Sequence, residues 1–252
     1  MRGVLSKNMF RLLRLPVDDY LGALEPCLRY NPLVAVLVMA VSFAVTWWIY
    51  VPVHELLHVA GCLLGGGDVT RLEMDPIYGA AFLQRVFPFI AVGSEYAGQL
   101  TGFDTRGSDL TYLLTDFLPF VLTILIGVPL LRSAALGRPG LPAAVKLGAA
   151  LPIAFAPFIS LPGDYYEMGS ILVSRVFLVG GWAPDPERWR GDDVIKKIDE
   201  VFFSGSPFDG ADVLGVGLSL VIGIILAVAT YAIGSAWSRA WWKPTASNHS
   251  ES

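Results

Sequence analysis

Residues 33 to 64 read LVAVLVMAVSFAVTWWIYVPVHELLHVAGCLL, an apolar run that only a few polar residues interrupt. Asn31 and Pro32 stand immediately before this run and suit the N-cap and the first turn of a helix. With a rise of about 1.5 Å per residue, a helix over the run would be about 48 Å long, whereas the hydrocarbon core of a bilayer is about 30 Å thick. The run therefore predicts a membrane helix that tilts strongly, protrudes from the bilayer, or breaks near Pro52.

The composition of the whole chain also indicates a membrane protein. Hydrophobic residues make up 54% of the sequence and charged residues only 16%, which is too apolar for an ordinary soluble domain. We expect an integral, multi-pass protein of the cell membrane, with an all-α polytopic fold of about five transmembrane helices. Further apolar runs, each a predicted span, follow the first at 111–131, 141–161, 165–181 and 212–236.

Charge and cysteine content exclude two other classes of protein. The net charge of -4 is spread along the chain without a basic patch interleaved with aromatic residues, so we expect no nucleic-acid binding. Two cysteines are too few for a disulfide framework.

The N-terminal segment, residues 1–32, mixes leucines with basic residues. This pattern is typical of a basic amphipathic helix on a membrane surface, although a loosely ordered tail also fits it. Because the first long apolar run exceeds a signal-peptide core in length, we expect it to be an uncleaved anchor. The basic residues that carry this pattern are Arg2, Lys7, Arg11 and Arg14, in the first half of the segment.

A single membrane-embedded domain is predicted from residue 33 to residue 242. Near its end, apolar residues recur with helical spacing over 194–202 beside charged residues, which indicates a surface helix. Residues 243–252 are polar and predict a disordered tail. Three tryptophans predict an interfacial aromatic belt, namely Trp237, Trp241 and Trp242.

The segment His54-Glu55-Leu56-Leu57-His58 carries two of the three histidines of the chain within the first apolar run. On a helix, residues four apart lie on one face, so His54 and His58 could both reach one Zn²⁺ ion. Glu55 would then lie beside the ion, where the H-E-x-x-H pattern places a general base. The alternative is a hydrogen-bonded polar cluster that only helps helices to pack.

A catalytic zinc site needs a third protein ligand. His249 lies in the polar tail, and Cys62 is about 12 Å along the helix from the first histidine, so neither suits one shared ion. We therefore expect a carboxylate, because carboxylates within the membrane are functional candidates by default. Asp164 is the first candidate, Glu167 is the alternative, and Asp116 is either a substitute or a hydrogen-bond acceptor for one imidazole.

Five spans place the end of the first span and the junction at 162–165 on the same side of the membrane, so these two parts of the site could meet. If no metal binds, the two acidic residues at or near this junction would only stabilise the helix that follows. Asp164 would cap the following helix, and Glu167 would favour its first turn through the helix dipole.

The long connection from residue 68 to about residue 109 contains two further patterns. Residues 69–74 roughly alternate between apolar and polar, which permits a short β-hairpin beside the site. Residues 86–92 are apolar but too few to cross a membrane, so they predict a re-entrant or interfacial segment.

The zinc motif resembles that of the site-2 protease family of intramembrane zinc metalloproteases. His54 to Gly65 are similar to the H-E-x-G-H helix of that family with its small residues one turn on, although Leu57 replaces the usual glycine. In that family an aspartate in a Leu-Asp-Gly motif supplies the third ligand. Here Asp164 keeps the aspartate, and Glu167 keeps the register within Tyr166-Glu167-Met168-Gly169. The resemblance covers about 54–75 and 157–175.

This resemblance implies a zinc endopeptidase that cleaves peptide bonds in or near membrane-spanning segments. Glu55 would deprotonate the attacking water, and the substrate would be an unwound segment of a membrane protein or peptide in the lipid bilayer. The strand at 69–74 could hold that segment by edge pairing. The alternatives are a non-proteolytic zinc-binding membrane protein, either a transporter or a regulatory scaffold, and a structural membrane protein without metal. One compact cluster and no internal repeat favour catalysis over transport.

Overall fold

The computed structural model describes residues 2–29, 31–183, 185–191, 193–203 and 209–241, and the side chains of all of these except 2–9 and 241. The predictions for Trp242 and for the tail at 243–252, which includes His249, lie outside the described residues. The side chains of Arg2, Lys7 and Trp241 lie outside them as well.

Helices make up most of the described chain, and we number them in chain order. They are α1 (Arg2–Leu28), α2 (Pro32–Leu64), α3 (Ala80–Val86), α4 (Asp109–Phe117), α5 (Val128–Leu136), α6 (Leu141–Ala154), α7 (Ala156–Ile159), α8 (Tyr166–Gly180), α9 (Val194–Ile198) and α10 (Gly210–Trp241). Short 3-10 and π-helical turns join α4 to α5, and a π-helical turn (Leu161–Tyr165) leads into α8.

Three helices of the described chain are long and apolar enough to cross a membrane. They are Pro32–Leu64, Asp109–Leu136 and Gly210–Ala240. The predicted spans at 141–161 and 165–181 are shorter helices, α6 and α8, of 14 and 15 residues. Helix α2 continues through Pro52, so the break considered at this residue is not found. A proline removes only one backbone hydrogen bond, which the packing of neighbouring turns can offset.

Glycines let the long helices approach each other closely. A Cβ atom on Gly148 of α6 would lie 2.3 Å from the Met39 carbonyl oxygen of α2, and one on Gly169 of α8 would lie 2.2 Å from the Ser219 carbonyl oxygen of α10. Close backbone approach at small residues is typical of helix packing in membranes. These contacts pack α6 against α2 and α8 against α10.

Helix α1 packs against the bundle through its second half. Ala23 and Cys27 are fully buried against α5 and α6. An Asp19 carboxylate oxygen lies 2.9 Å from Nη1 of Arg132 on α5. Residues 2–28 are therefore helical, but this helix does more than lie on a surface, because small residues and an ion pair attach it to the core.

The long connection forms a three-stranded sheet rather than a simple hairpin. Strand β1 (Asp68–Met74) lies in the centre, between β2 (Ile90–Val92), which is parallel to it, and β3 (Gly98–Asp104), which is antiparallel. The expected hairpin therefore becomes β1 with a distant partner, β3. Residues 90–92, part of the expected re-entrant or interfacial segment, form β2, and α3 lies in the crossover that a parallel pair needs.

Candidate metal centre

The two motif histidines lie on one face of α2, one turn apart. Their Nε2 atoms are 3.1 Å from each other, and both side chains are buried. This arrangement follows directly from the helical spacing of His54 and His58. The two Nε2 atoms are therefore close enough to bind one metal ion.

Asp164 completes the group from the other half of the chain. It lies in the π-helical turn before α8, where the backbone departs from helical geometry at Gly163. Its two carboxylate oxygens lie 3.6 Å from Nε2 of His54 and 3.7 Å from Nε2 of His58. One ligand atom from each of the three residues lies within 4.8 Å of the others, so the group could hold a metal ion. Two imidazole nitrogens and a carboxylate are a common ligand set for catalytic zinc.

The other nitrogen of each imidazole ring is also hydrogen-bonded. Nδ1 of His58 lies 2.9 Å from the Thr115 carbonyl oxygen. Because a carbonyl oxygen only accepts, Nδ1 carries a hydrogen in this contact, and Nε2 is the ring nitrogen that can bind a metal. Nδ1 of His54 lies 2.8 Å from the Tyr50 hydroxyl oxygen. A hydrogen bond at Nδ1 thus orients each ring, as is common for histidines that bind a metal through Nε2.

Gly61 explains why the backbone of α4 can reach His58. A Cβ atom on Gly61, one turn after His58, would lie 2.3 Å from the Leu114 carbonyl oxygen. The glycine therefore admits α4 against α2 at the level of the site. The Thr111 hydroxyl donates to the Gly65 carbonyl oxygen at 2.7 Å and fixes the same pair of helices at the end of α2.

Glu55 lies in the same cavity as the three ligand candidates. The cavity has a volume of about 490 Å³, and its walls come from α2, β3, α4, the turn before α8, α8 itself and residues 191, 193 and 195. Nζ of Lys196 lies 4.9 Å from the centre of the Tyr96 ring, so α9 contacts the loop that precedes β3. The space is large enough for a short peptide segment beside Glu55.

The other two acidic candidates line the cavity without joining the ligand group. Glu167 is buried on α8 and accepts a hydrogen bond from the Tyr112 hydroxyl. Asp116 is buried on α4. The hydrogen-bond role considered for Asp116 belongs instead to its neighbour, because the Thr115 carbonyl oxygen faces His58. Neither Glu167 nor Asp116 is in the group that could hold an ion.

Cys62 also lies outside the ligand group. It is fully buried, and its sulfur lies 3.6 Å from the Asp68 carbonyl oxygen at the start of β1. Among the described residues, Cys62 is thus outside the group that could hold an ion, as its distance from His54 along the helix predicted.

Two contributors to the site were missed at the sequence level. Tyr50 carried a usable signal, because it precedes His54 by four residues and so shares its helix face. The Thr115 contribution is a backbone carbonyl, which leaves no signature in the sequence.

Comparison of the chain with protein-family models, with curated proteins and with solved structures found no match.

Proposed function

We propose that this protein is an intramembrane zinc endopeptidase that resembles the site-2 protease family. His54, His58 and Asp164 would hold Zn²⁺, and Glu55 would act as the general base. The observation that carries the proposal is the convergence of the three ligand groups beside Glu55, on a helix apolar enough to cross a membrane. Burying such groups among apolar residues costs several kcal/mol unless they are paired or bind a metal.

The proposal includes five membrane spans. The three long apolar helices would be joined by α6 and α8, which are apolar but short. Helix α6 packs along α2, and α8 packs along α10, so both short helices have a long neighbour in the bundle. Alternating directions of five spans would bring the end of α2 and the start of α8 to the same side of the membrane.

In this mechanism the residues of the chain orient the reactants and move a proton. A bound Zn²⁺ supplies Lewis-acid activation of a water molecule and of the peptide carbonyl. Glu55 accepts a proton from water as the water oxygen bonds to the carbonyl carbon. Glu55 then gives this proton to the amide nitrogen as the C–N bond breaks. The Tyr50 hydroxyl and the Thr115 carbonyl oxygen keep the two imidazoles in position throughout.

The substrate segment would be extended, and β3 is the strand that can hold it. Edge pairing was first considered for residues 69–74, but residues 72–74 are already paired on both sides, with β2 and with β3. Strand β3 is an edge strand of the described sheet, and Gly98, Gln99 and Leu100 line the cavity. A peptide added to this edge would run past Glu55.

The test is to purify wild-type protein, Glu55→Gln and the control Glu25→Gln in detergent. Glu25 is an exposed residue of α1. Zinc content is measured by elemental analysis, and cleavage of membrane-protein substrates is followed by mass spectrometry. We expect equal zinc in all three proteins, cleavage by wild type and Glu25→Gln, and no cleavage by Glu55→Gln. Zinc binding without cleavage by wild type would support the non-proteolytic alternative, and equal cleavage by Glu55→Gln would refute the mechanism.

A further inference from the structure

Gly98, the first residue of β3, lies directly against the side chain of Glu55. A Cβ atom on Gly98 would lie 2.5 Å from Cγ, 2.7 Å from Cδ and 3.2 Å from Oε2 of Glu55. Its partner in the sheet is Met74, at the end of β1, which is fully buried. The sheet therefore holds position 98 where any side chain would collide with the side chain of Glu55.

This contact differs from the glycine contacts that pack the helices. Gly61, Gly148 and Gly169 meet backbone carbonyl oxygens of neighbouring helices. The three nearest atoms at Gly98 instead belong to the side chain of the proposed general base. The absence of a side chain at position 98 therefore affects one functional group rather than the approach of two helices.

Packing rather than hydrogen bonding restrains the Glu55 carboxylate. Among the described residues, hydrogen bonds hold His54 and His58 from behind, whereas none reaches Glu55. A general base needs free lone pairs to accept a proton. Packing against β3 at Gly98 would limit the positions of the carboxylate and leave those lone pairs available.

We infer that Gly98 is a positioning residue for Glu55, which it holds against the reacting water by the close approach of β3. This inference rests on the proposed function. It adds a requirement that the zinc motif does not contain, namely that position 98 has no side chain. It also fixes which part of the β3 edge lies beside the reacting groups, because residue 98 is the point of contact with Glu55.

The size of the effect follows from the contact distance. An ordinary contact of a Cβ atom starts near 3.4 Å, so alanine at position 98 would force a separation of about 1 Å between β3 and Glu55. A misplacement of about 1 Å can reduce the rate of an enzyme roughly 100-fold. The metal ligands are not touched, so zinc content should not change.

The first test uses thermal unfolding and does not require activity. Gly98→Ala is compared with Gly217→Ala, which adds the same methyl group where a Cβ atom meets nothing within 4 Å. The added methyl group meets only the outer atoms of the flexible Glu55 side chain, so Gly98→Ala should lower the Tm by a few degrees at most. In a Glu55→Ala background the colliding atoms are gone, so Gly98→Ala should then lower the Tm no more than Gly217→Ala does. An equal loss in both backgrounds would overturn the inference.

The second test measures turnover of the zinc-loaded protein. We expect Gly98→Ala to keep its zinc, to lose kcat about 100-fold and to keep KM within a few-fold of wild type. Gly217→Ala should behave as wild type. Wild-type kcat in Gly98→Ala would overturn the inference, and so would a loss of zinc. If wild type binds zinc but cleaves nothing, the proposed function fails, while the unfolding comparison still decides whether residues 55 and 98 are coupled.

Discussion

Replacing Tyr50 by phenylalanine removes one hydroxyl group and leaves the rest of this buried side chain in place. The hydroxyl oxygen lies 2.8 Å from Nδ1 of His54. When Nε2 of His54 binds a metal, the ring hydrogen is on Nδ1, and the Tyr50 oxygen accepts it. In Tyr50→Phe that hydrogen has no acceptor, so the tautomer with its hydrogen on Nε2, which cannot bind a metal, becomes competitive.

The expected cost is a loss of zinc affinity of about 10- to 100-fold, the usual effect of removing such a hydrogen bond to a ligand. This corresponds to about 1.4 to 2.7 kcal/mol of binding free energy. The bundle should remain folded, since a single lost hydrogen bond contributes only about 1 kcal/mol to stability.

Competition between the purified protein and a chromophoric zinc chelator measures this affinity directly. Tyr231→Phe is the matched control, because its hydroxyl lies 3.3 Å from an Asp19 oxygen, among helices outside the metal centre. We expect the control to bind zinc like wild type. Unchanged zinc affinity in Tyr50→Phe would refute the claim that Tyr50 orients His54.

Three further predictions concern the third ligand and the bundle. Asp164→Asn should lower zinc affinity by at least about 100-fold because it removes the charged member of the proposed ligand group, whereas Glu167→Gln should keep its zinc. Chelator competition measures both affinities, and a larger loss in Glu167→Gln than in Asp164→Asn would contradict the assignment. Asp19→Asn should destabilise the fold by about 1 to 3 kcal/mol without changing zinc content, since it weakens a partly buried ion pair with Arg132; denaturant unfolding in detergent measures the loss. Gly148→Ala should destabilise by about 1 to 3 kcal/mol, because there is no room for a methyl group against the backbone of α2; an unchanged Tm would contradict this packing.

The sequence was enough to predict the part of the candidate metal centre that lies on one helix. Four-residue spacing on an apolar helix was enough to place His54 and His58 together, because helix geometry alone decides it. Placing Asp164 near the histidines also required the span count, because five spans bring the end of the first span and the junction at 162–165 to the same side of the membrane. In the described structure, Asp164 lies within 4 Å of both imidazoles, while Glu167 accepts a hydrogen bond from Tyr112.

Contacts between distant segments could not be read from the sequence. The alternation at 69–74 indicated a strand, but a strand pattern does not name its partners, and both partners of β1 come from later in the chain. The contact of Gly98 with Glu55 depends on that pairing. The Thr115 carbonyl is a backbone group, so its role follows only from the close approach of α4 to α2.

X-ray absorption at the zinc edge of the purified wild-type protein shows whether two imidazoles and one carboxylate of this chain hold a single zinc ion. We predict a first coordination shell of nitrogen and oxygen at about 2.0 to 2.2 Å, with scattering from two imidazole rings and no sulfur. Replacement of His58 by alanine should remove the scattering of one ring. A shell that contains sulfur, or one unchanged in His58→Ala, would contradict the claim.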